Sequence, residues 1–409
     1  MNSSCSLESS LLRENQAAVR TRAPNGELSI YVHIPYCVAK CPYCDFNSVA
    51  SSSWPEEEYV AALERELGTY AKTDVFAGLP VTTVYFGGGT PSLFSPWAFE
   101  RLLSAIAKDW PMHSSAEITM EANPGTVEIH RLQAFRAAGI NRLSLGVQSF
   151  NDENLRLLGR IHGAQEAIEA VASAYGAGFD NVNVDLMYAL PGQTLQAWER
   201  DLLQACALEP THISAYNLTY EEGTPFYSWR KRGRLRPLEE ETEVAMFTLA
   251  EDLLSQHGYC RYEISNYAQP SFPCRHNLRY WTCQPYVGVG AGAHGYSSAG
   301  GNLGWGFRWA NERSPSRYMA QVQKEGHARV GLDHLDFHQA AGEFVFLTLR
   351  CTEGIDAAAF ARRFDRRVDE AFPVIHSLVA TGLLEPTPQG WRLSPRGTLL
   401  ADSVFAEFL

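Results

Sequence analysis

From residue 28 to about residue 258 the chain alternates short β-branched or aromatic runs with longer helical patterns, which restricts it to repeated βα units around a parallel sheet. Strands are expected at Leu28 to Ile34, Thr82 to Phe86, Glu117 to Glu121, Arg142 to Val147, Asn181 to Met187 and His212 to Thr219. Helices are expected near Glu56 to Tyr70, Pro96 to Asp109, Val127 to Ala138, Ala164 to Ala177, Leu195 to Ala207 and Glu239 to His257. Six units are too few to close an eight-stranded barrel, so the fold class read here is α/β, a partial (β/α)6 barrel. Functional side chains of such folds gather at the C-terminal ends of the strands. Cys37 follows the first strand, Gly87 to Thr90 the second and Gln148 the fourth, while Glu121 ends the third and Asp185 lies late in the fifth.

The run Tyr31-Val-His-Ile-Pro-Tyr-Cys-Val-Ala-Lys-Cys-Pro-Tyr-Cys places Cys37, Cys41 and Cys44 in a Cys-x3-Cys-x2-Cys spacing. Three close thiols ask for a metal. A four-iron cluster normally takes four cysteines, so a local set of three leaves one iron open to a ligand that is not protein. The competing readings are a structural zinc site closed by a fourth ligand such as His33, and three unpaired thiols. Gly87-Gly-Gly-Thr-Pro-Ser92 follows a strand directly and lets backbone approach a ligand, because glycine has no side chain to clash. It lacks the Gly-Lys-Ser/Thr ending of a phosphate loop, so no nucleoside triphosphate site is read there.

Composition narrows the classes further. Lys plus Arg is 34 against 46 Asp plus Glu, a formal charge of -12, which argues against nucleic acid as a partner. Of nine cysteines, six (Cys5, Cys206, Cys260, Cys274, Cys283 and Cys351) show no paired framework, which suggests a reducing compartment. The first 27 residues are polar and Ser-rich without an apolar core, and no apolar run reaches membrane-spanning length. Arg13, Arg20 and Arg22 faintly suggest a transit peptide, but Glu8 and Glu14 weaken that, and a cytoplasmic location is expected.

Beyond His257 the sequence becomes aromatic, Gly-rich and irregular to about Tyr318, then helical from His334 to Leu409. Pro373 to Ala380 reads as a helix with proline suited to its first turn. A hairpin over Gly382 to Leu393 and a final helix follow. The expected organisation is a flexible N-terminus over 1–27, the barrel over 28–258, an extension closing the barrel mouth over 259–333, and a mostly helical, winged-helix-like domain over 334–409. No dense basic face in the last part reads as a DNA-recognition helix.

The cysteine run and Gly-rich loop closely resemble those of radical S-adenosylmethionine (SAM) proteins. The resemblance implies a partial barrel, a 4Fe-4S cluster on Cys37, Cys41 and Cys44, and SAM with its amino and carboxylate groups on the open iron. In that superfamily an electron from the cluster breaks a carbon-sulfur bond of SAM and releases the 5'-deoxyadenosyl radical. It further implies that Tyr31, Gly88, Gly89, Thr90, Glu121, Gln148, Arg160 and Asp185 contact SAM, with Arg160 pairing its carboxylate. Each of these has a plainer reading as a rim salt bridge or turn hydrogen bond.

Asn183 to Thr194, Tyr262 to Ala268, Cys274-Arg-His-Asn-Leu-Arg-Tyr-Trp281 and Gly288 to Gly295 extend the match over nearly the whole chain, and they resemble the HemW family of heme chaperones. That family descends from the oxygen-independent coproporphyrinogen III oxidases. Those oxidases carry a further cysteine two residues after the third cluster cysteine, where this chain has Phe46. The departure favours the chaperone, with anaerobic oxidative decarboxylation of coproporphyrinogen III as the alternative; radical modification of nucleic acid is disfavoured by the acidic balance. Heme asks for aromatic surface, cations and one axial ligand, so His276 is the expected ligand or close contact, Tyr280 and Trp281 stack, and Arg275 or Arg279 meets a propionate. Cys274 and His294 are alternative ligands, and His276 as a satisfied core histidine is the plain alternative to all of this. The family pattern often has glycine at Ala189 and an acidic residue at Pro285. Implied partners are heme, recipient hemoproteins of respiration or storage and an electron donor, with peripheral membrane contact and a homodimer as further arrangements open to such a carrier.

Overall fold

The computed structural model describes residues 26–299 and 304–409, so the stretch expected to be flexible, 1–27, lies outside it except for its last two residues. The strands form as β1 (Leu28–Ile34), β2 (Val81–Gly88), β3 (Met112–Ala122), β4 (Arg142–Gln148), β5 (Val182–Tyr188) and β6 (His212–Asn217). They lie side by side in that order, all parallel. Between and after them run α1 (Glu56–Tyr70), α2 (Pro96–Asp109), α3 (Ile129–Ala137), α4 (Ala164–Gly176), α5 (Leu195–Ala207) and α6 (Glu240–Gln256).

Side-chain alternation along each strand decides the layers. In β1, Leu28, Ile30, Val32 and Ile34 are buried in the core shared with the helices. Ser29, Tyr31 and His33 point the other way, into the barrel. The lumen they enter is polar: Thr83 donates to Ser29 (2.8 Å), Asn183 to Ser144 (2.8 Å) and Ser144 to Asp185 (3.0 Å). Buried polar groups of this kind are tolerated because they satisfy one another. Boundaries shift where local chemistry intervenes. β3 starts at Met112, opposite Val81, ahead of the expected Glu117, because the exposed polar residues His113 to Ser115 still extend the strand. α3 starts late because Pro124–Thr126 tighten into a 3-10 turn capped by Asn123.

The extension, expected to be irregular, supplies strands and helices: β7 (Cys260–Arg261), β8 (Asn266–Ala268), α7 (Arg275–Trp281), β9 (Tyr286–Val289), β10 (His294–Ser297), β11 (Phe307–Asn311), α8 (Pro315–Glu325) and β12 (Arg329–His334). β9 joins β1 as a further parallel strand, and β10, β11 and β12 continue antiparallel, giving one sheet of twelve strands among the described residues. Short strands interrupted by glycine hide this from a pattern reading. Gly288 is needed because any Cβ there would overlap the His294 carbonyl of the neighbouring strand. Pro285 sits immediately before β9, where its missing N–H costs no ladder bond, and its carbonyl accepts from Ser29 N (3.4 Å).

The C-terminal part comprises α9 (Phe337–Leu349), β13 (Ile355–Asp356), α10 (Ala357–Phe364), α11 (Val374–Ala380), β14 (Leu384–Pro386), β15 (Gly390–Leu393), α12 (Pro395–Leu399) and α13 (Ala401–Ala406). Its helices and three-stranded sheet, ordered β13-β15-β14, close around a second core containing Val345, Phe360, Ile375 and Val404. Residues 398–403 of this part help line the barrel mouth, which the extension does not cover alone. Among the described residues no helix is long and apolar enough to cross a membrane.

Ala189, directly after β5, has φ of 60°. A left-handed backbone costs a residue with a Cβ roughly 1–2 kcal/mol, which explains why glycine suits this turn. Ala189→Gly is expected to raise unfolding stability by about 0.5 kcal/mol, because the strain relieved exceeds the glycine entropy cost. Denaturant midpoints of the two proteins check this.

Candidate functional site

Cys37 ends a short strand, Tyr36–Cys37, that pairs with Val49–Ala50, so the loop carrying Cys41 and Cys44 leaves and returns at one place. The loop is pinned by Cys44 N donating to Cys41 O (3.1 Å) and by Lys40 Nζ donating to the carbonyls of Phe46 (3.1 Å) and Ser48 (3.2 Å). Beside it runs the Gly-rich loop, with Gly89 N donating to Ile34 O and Thr90 N to Tyr36 O, both at 2.8 Å. A Cβ at Gly89 would stand 2.6 Å from the Tyr36 carbonyl, so only glycine permits this approach.

The three thiols line one cavity of about 980 Å³ together with Gly88, Gly89, Thr90, Glu121, Gln148, Arg160 and Asp185. Thr90 Oγ1 donates to Cys37 Sγ (3.5 Å) and Arg160 Nη1 to Cys41 Sγ (3.6 Å), contacts that favour thiolate. Burial pushes the Cys37 and Cys44 thiols up, so deprotonation there calls for a bound metal. His33 does not close a zinc site. Its Nε2–H donates to Asn47 O (2.8 Å), its Nδ1 accepts from Tyr31 OH (3.0 Å), and burial pushes its pKa down to about 4. Nor do three His, Cys, Asp or Glu side chains among the described residues converge at single-ion distance.

The rest of the cavity suits a small charged ligand beside the thiols. Arg160 Nη2 donates to Gly146 O (2.6 Å), while its buried Nε has no partner and is free to meet a carboxylate. Glu121 accepts from Tyr85 OH (2.9 Å) and Gly88 N (3.0 Å), and among the described residues no cation is bonded to it. Burial raises its pKa to about 7, with nearby Asp185 adding to the shift, against the hydrogen bonds and the positive field of buried Arg142. Asp185 is likewise raised by burial while accepting from Ser144 and Asn183. A cation placed there would relieve both. Gln148 holds φ of 70°, a strained conformation that turns the end of β4 at the cavity wall.

Tyr31 is not among these groups. It lies on a second cavity of about 590 Å³, lined also by His33, Tyr280, Trp281, Tyr286, His294 and Tyr296; Gly88, Glu121 and Phe46 line both cavities. The segment 274–281 divides. Tyr280 and Trp281 face the second cavity, but His276 does not line it and is 1% exposed. Thr83 donates its hydroxyl to Ser29, so it accepts from His276 Nδ1–H (2.7 Å), leaving Nε2 to accept from Tyr280 OH (2.8 Å). Burial and the cations Arg142 and Arg279 push His276 down to about 3. The expected axial ligand is thus placed as a satisfied core histidine that orients Tyr280. Arg275 donates to Ser115 O and Arg279 pairs with Glu27, so neither reaches the cavity. Cys274 sits against Glu117 in the lumen, away from it.

Sequence reading missed Tyr85, which fixes Glu121, and the cavity walls Tyr286 and Tyr296. The inward alternation of β2 carried the signal for Tyr85.

With no bonded cation, Glu121 binds its proton more tightly in the folded than in the unfolded chain. Stability of the cluster-free protein therefore falls as pH rises from about 4.5, the unperturbed value, to about 7. Glu121→Gln is expected to flatten that limb, measured as urea midpoints between pH 5 and 8.

Comparison with known proteins identifies the family. The Radical SAM superfamily model matches residues 31–205, and the HemN C-terminal domain model matches residues 335–400. Heme chaperone HemW of Escherichia coli (strain K12) is 39% identical over 387 residues, covering 93% of this chain and 98% of that protein. Heme chaperone HemW of Bacillus subtilis (strain 168) is 36% identical over 385 residues, covering 93% and 99%. The solved structure of coproporphyrinogen III oxidase (HemN) from Escherichia coli, a radical SAM enzyme, superimposes with a TM-score of 0.79 at 25% identity, covering 93% of this chain and 90% of that one. Similarity sustained over nearly the full length of both sequences places the chain in the HemW family of radical SAM proteins.

Proposed function

We propose that this protein is a heme chaperone that binds heme, carries a 4Fe-4S cluster with SAM, and passes the heme to recipient hemoproteins. The observation that carries the reading is the pair of cavities meeting at Gly88, Glu121 and Phe46: one lined by thiols and charged groups, the other by aromatic rings. Cys37, Cys41 and Cys44 would hold the cluster, which supplies an electron and one open iron. Arg160 would pair the SAM carboxylate, Glu121 and Asp185 would offset its positive charges, and the backbone at Gly88, Gly89 and Thr90 would seat its methionine part. Tyr85 and the Gly88 N–H keep the Glu121 carboxylate in place at the wall between the two groups. The aromatic cavity falls within the 300–1,000 Å³ of pockets that enclose small ligands, and rings such as Tyr286 and Trp281 suit a flat apolar macrocycle.

Phe46 supports the carrier over the oxidase. It is 65% exposed where the oxidases carry a further cysteine, and it borders both cavities. The second reading, coproporphyrinogen III decarboxylation, draws on the thiol-lined cavity, which gathers seven of the eight expected SAM contacts, all but Tyr31.

Cluster-loaded protein titrated anaerobically with heme is expected to give a saturable Soret shift, and the loaded protein to transfer its heme to an apo-hemoprotein. Absence of both, together with decarboxylated product from coproporphyrinogen III, SAM and reductant, would move the protein to the oxidase reading.

A further inference from the structure

The aromatic cavity contains a histidine that the arrangement of the barrel does not use. Of the histidines near it, His276 is sealed behind Tyr280, and His33 spends both ring nitrogens on Tyr31 and Asn47. His294 differs. It opens β10, it is exposed, it lines the cavity, and its ring has no hydrogen-bond partner among the described residues. Its backbone is held by pairing with Ala310 of β11, so the ring projects from a fixed strand, not from a loop.

Resting on the reading of this chain as a heme carrier, we propose that the cavity bounded by Tyr280, Trp281, Tyr286 and Tyr296 seats the heme and that His294, in place of His276, supplies the axial ligand to its iron. The bond forms from the lone pair of the neutral ring, with no electron transferred and no proton released. Desolvation of the ring's inner side, then Arg313 and Arg308, lower its pKa and so favour the neutral form that can ligate. Cys283 lines the same cavity but donates its thiol to the Glu343 carbonyl (3.9 Å), and burial pushes it up to about 12, so it remains a thiol. His276 then acts as a positioning residue: it fixes Tyr280, one wall of the cavity, without touching the iron. Glu121, Gly88 and Phe46 are shared with the thiol-lined cavity, which brings the porphyrin edge against the SAM site.

The test is an anaerobic titration of heme into full-length, cluster-loaded wild type, His294→Ala and His276→Ala, read by Soret absorbance and by the electron paramagnetic resonance of ferric heme. Wild type is expected to saturate with a histidine-ligated spectrum. His294→Ala is expected to bind at least about tenfold more weakly, to lose that ligand signature and to regain it with added imidazole. His276→Ala is expected to keep the wild-type signature even where its affinity falls. An unchanged His294→Ala spectrum would overturn the assignment while leaving the carrier intact, and loss of the signature in His276→Ala alone would return the ligand to α7. No saturation in wild type would overturn the carrier reading itself, and this assignment with it.

Discussion

The parallel register of β1 against β2 is the constraint on which the rest of the molecule depends. It sets His33 opposite Gly87 and Ile34 opposite Gly88, so the cysteine-bearing run and the Gly-rich loop leave the sheet side by side. The three thiols and the Gly-rich backbone beside them are hung from that pair. The cysteine loop is tied forward to the extension by Asn47, whose side chain donates to Ala291 O and Arg313 O, both at 2.9 Å. A one-residue slip would turn Ser29, Tyr31 and His33 out of the lumen and the core residues into it, which is why the register is strongly specified.

The lumen behind this rim is polar throughout, unlike the branched apolar filling of a closed eight-stranded barrel. Glu117 caps α7 by accepting from the backbone N–H groups of Arg275 (3.1 Å) and His276 (3.0 Å), and Arg142 lies fully buried nearby. This floor binds α7 to the barrel, and α7 carries Tyr280 and Trp281 to the aromatic cavity. Glu66 performs the corresponding task on the outer side. Buried on α1, it accepts from Gly290 N (3.0 Å), Asn311 Nδ2 (2.9 Å) and Tyr318 OH (2.8 Å), fastening the extension to the barrel helices. Among the described residues, these two carboxylates thus hold the extension in place through hydrogen-bond donors, with no cation bonded to either.

Much of this was legible in the sequence. β1, α1, α2 and α5 have the expected bounds, because hydrophobic periodicity and proline or threonine start signals agree in those segments. Gly88, Gly89, Thr90, Glu121, Gln148 and Asp185 assemble in the cavity because residues at strand C-termini meet by topology, and Arg160 joins them from the connection after β4. What escaped was whatever depends on partners remote in sequence. Tyr31 lines the second cavity, beside residues as remote as Tyr280 and Tyr286, because inward positions early in a strand lie below the rim. For His276 the sequence left ligand and satisfied core histidine both open, and Thr83, remote in sequence, takes Nδ1 while Tyr280 takes Nε2. β9 and β10 were hidden by glycines that close strand packing demands.

Two adjoining cavities, divided at Glu121, are proposed to hold two different groups. The most direct test is anomalous diffraction at the iron edge from crystals of the cluster-loaded, heme-loaded protein. One iron centre is expected at Cys37, Cys41 and Cys44, and a second, separate iron among Tyr280, Tyr286 and Tyr296 within bonding reach of His294. A heme iron found inside the thiol-lined cavity, or seated against His276, would contradict this arrangement.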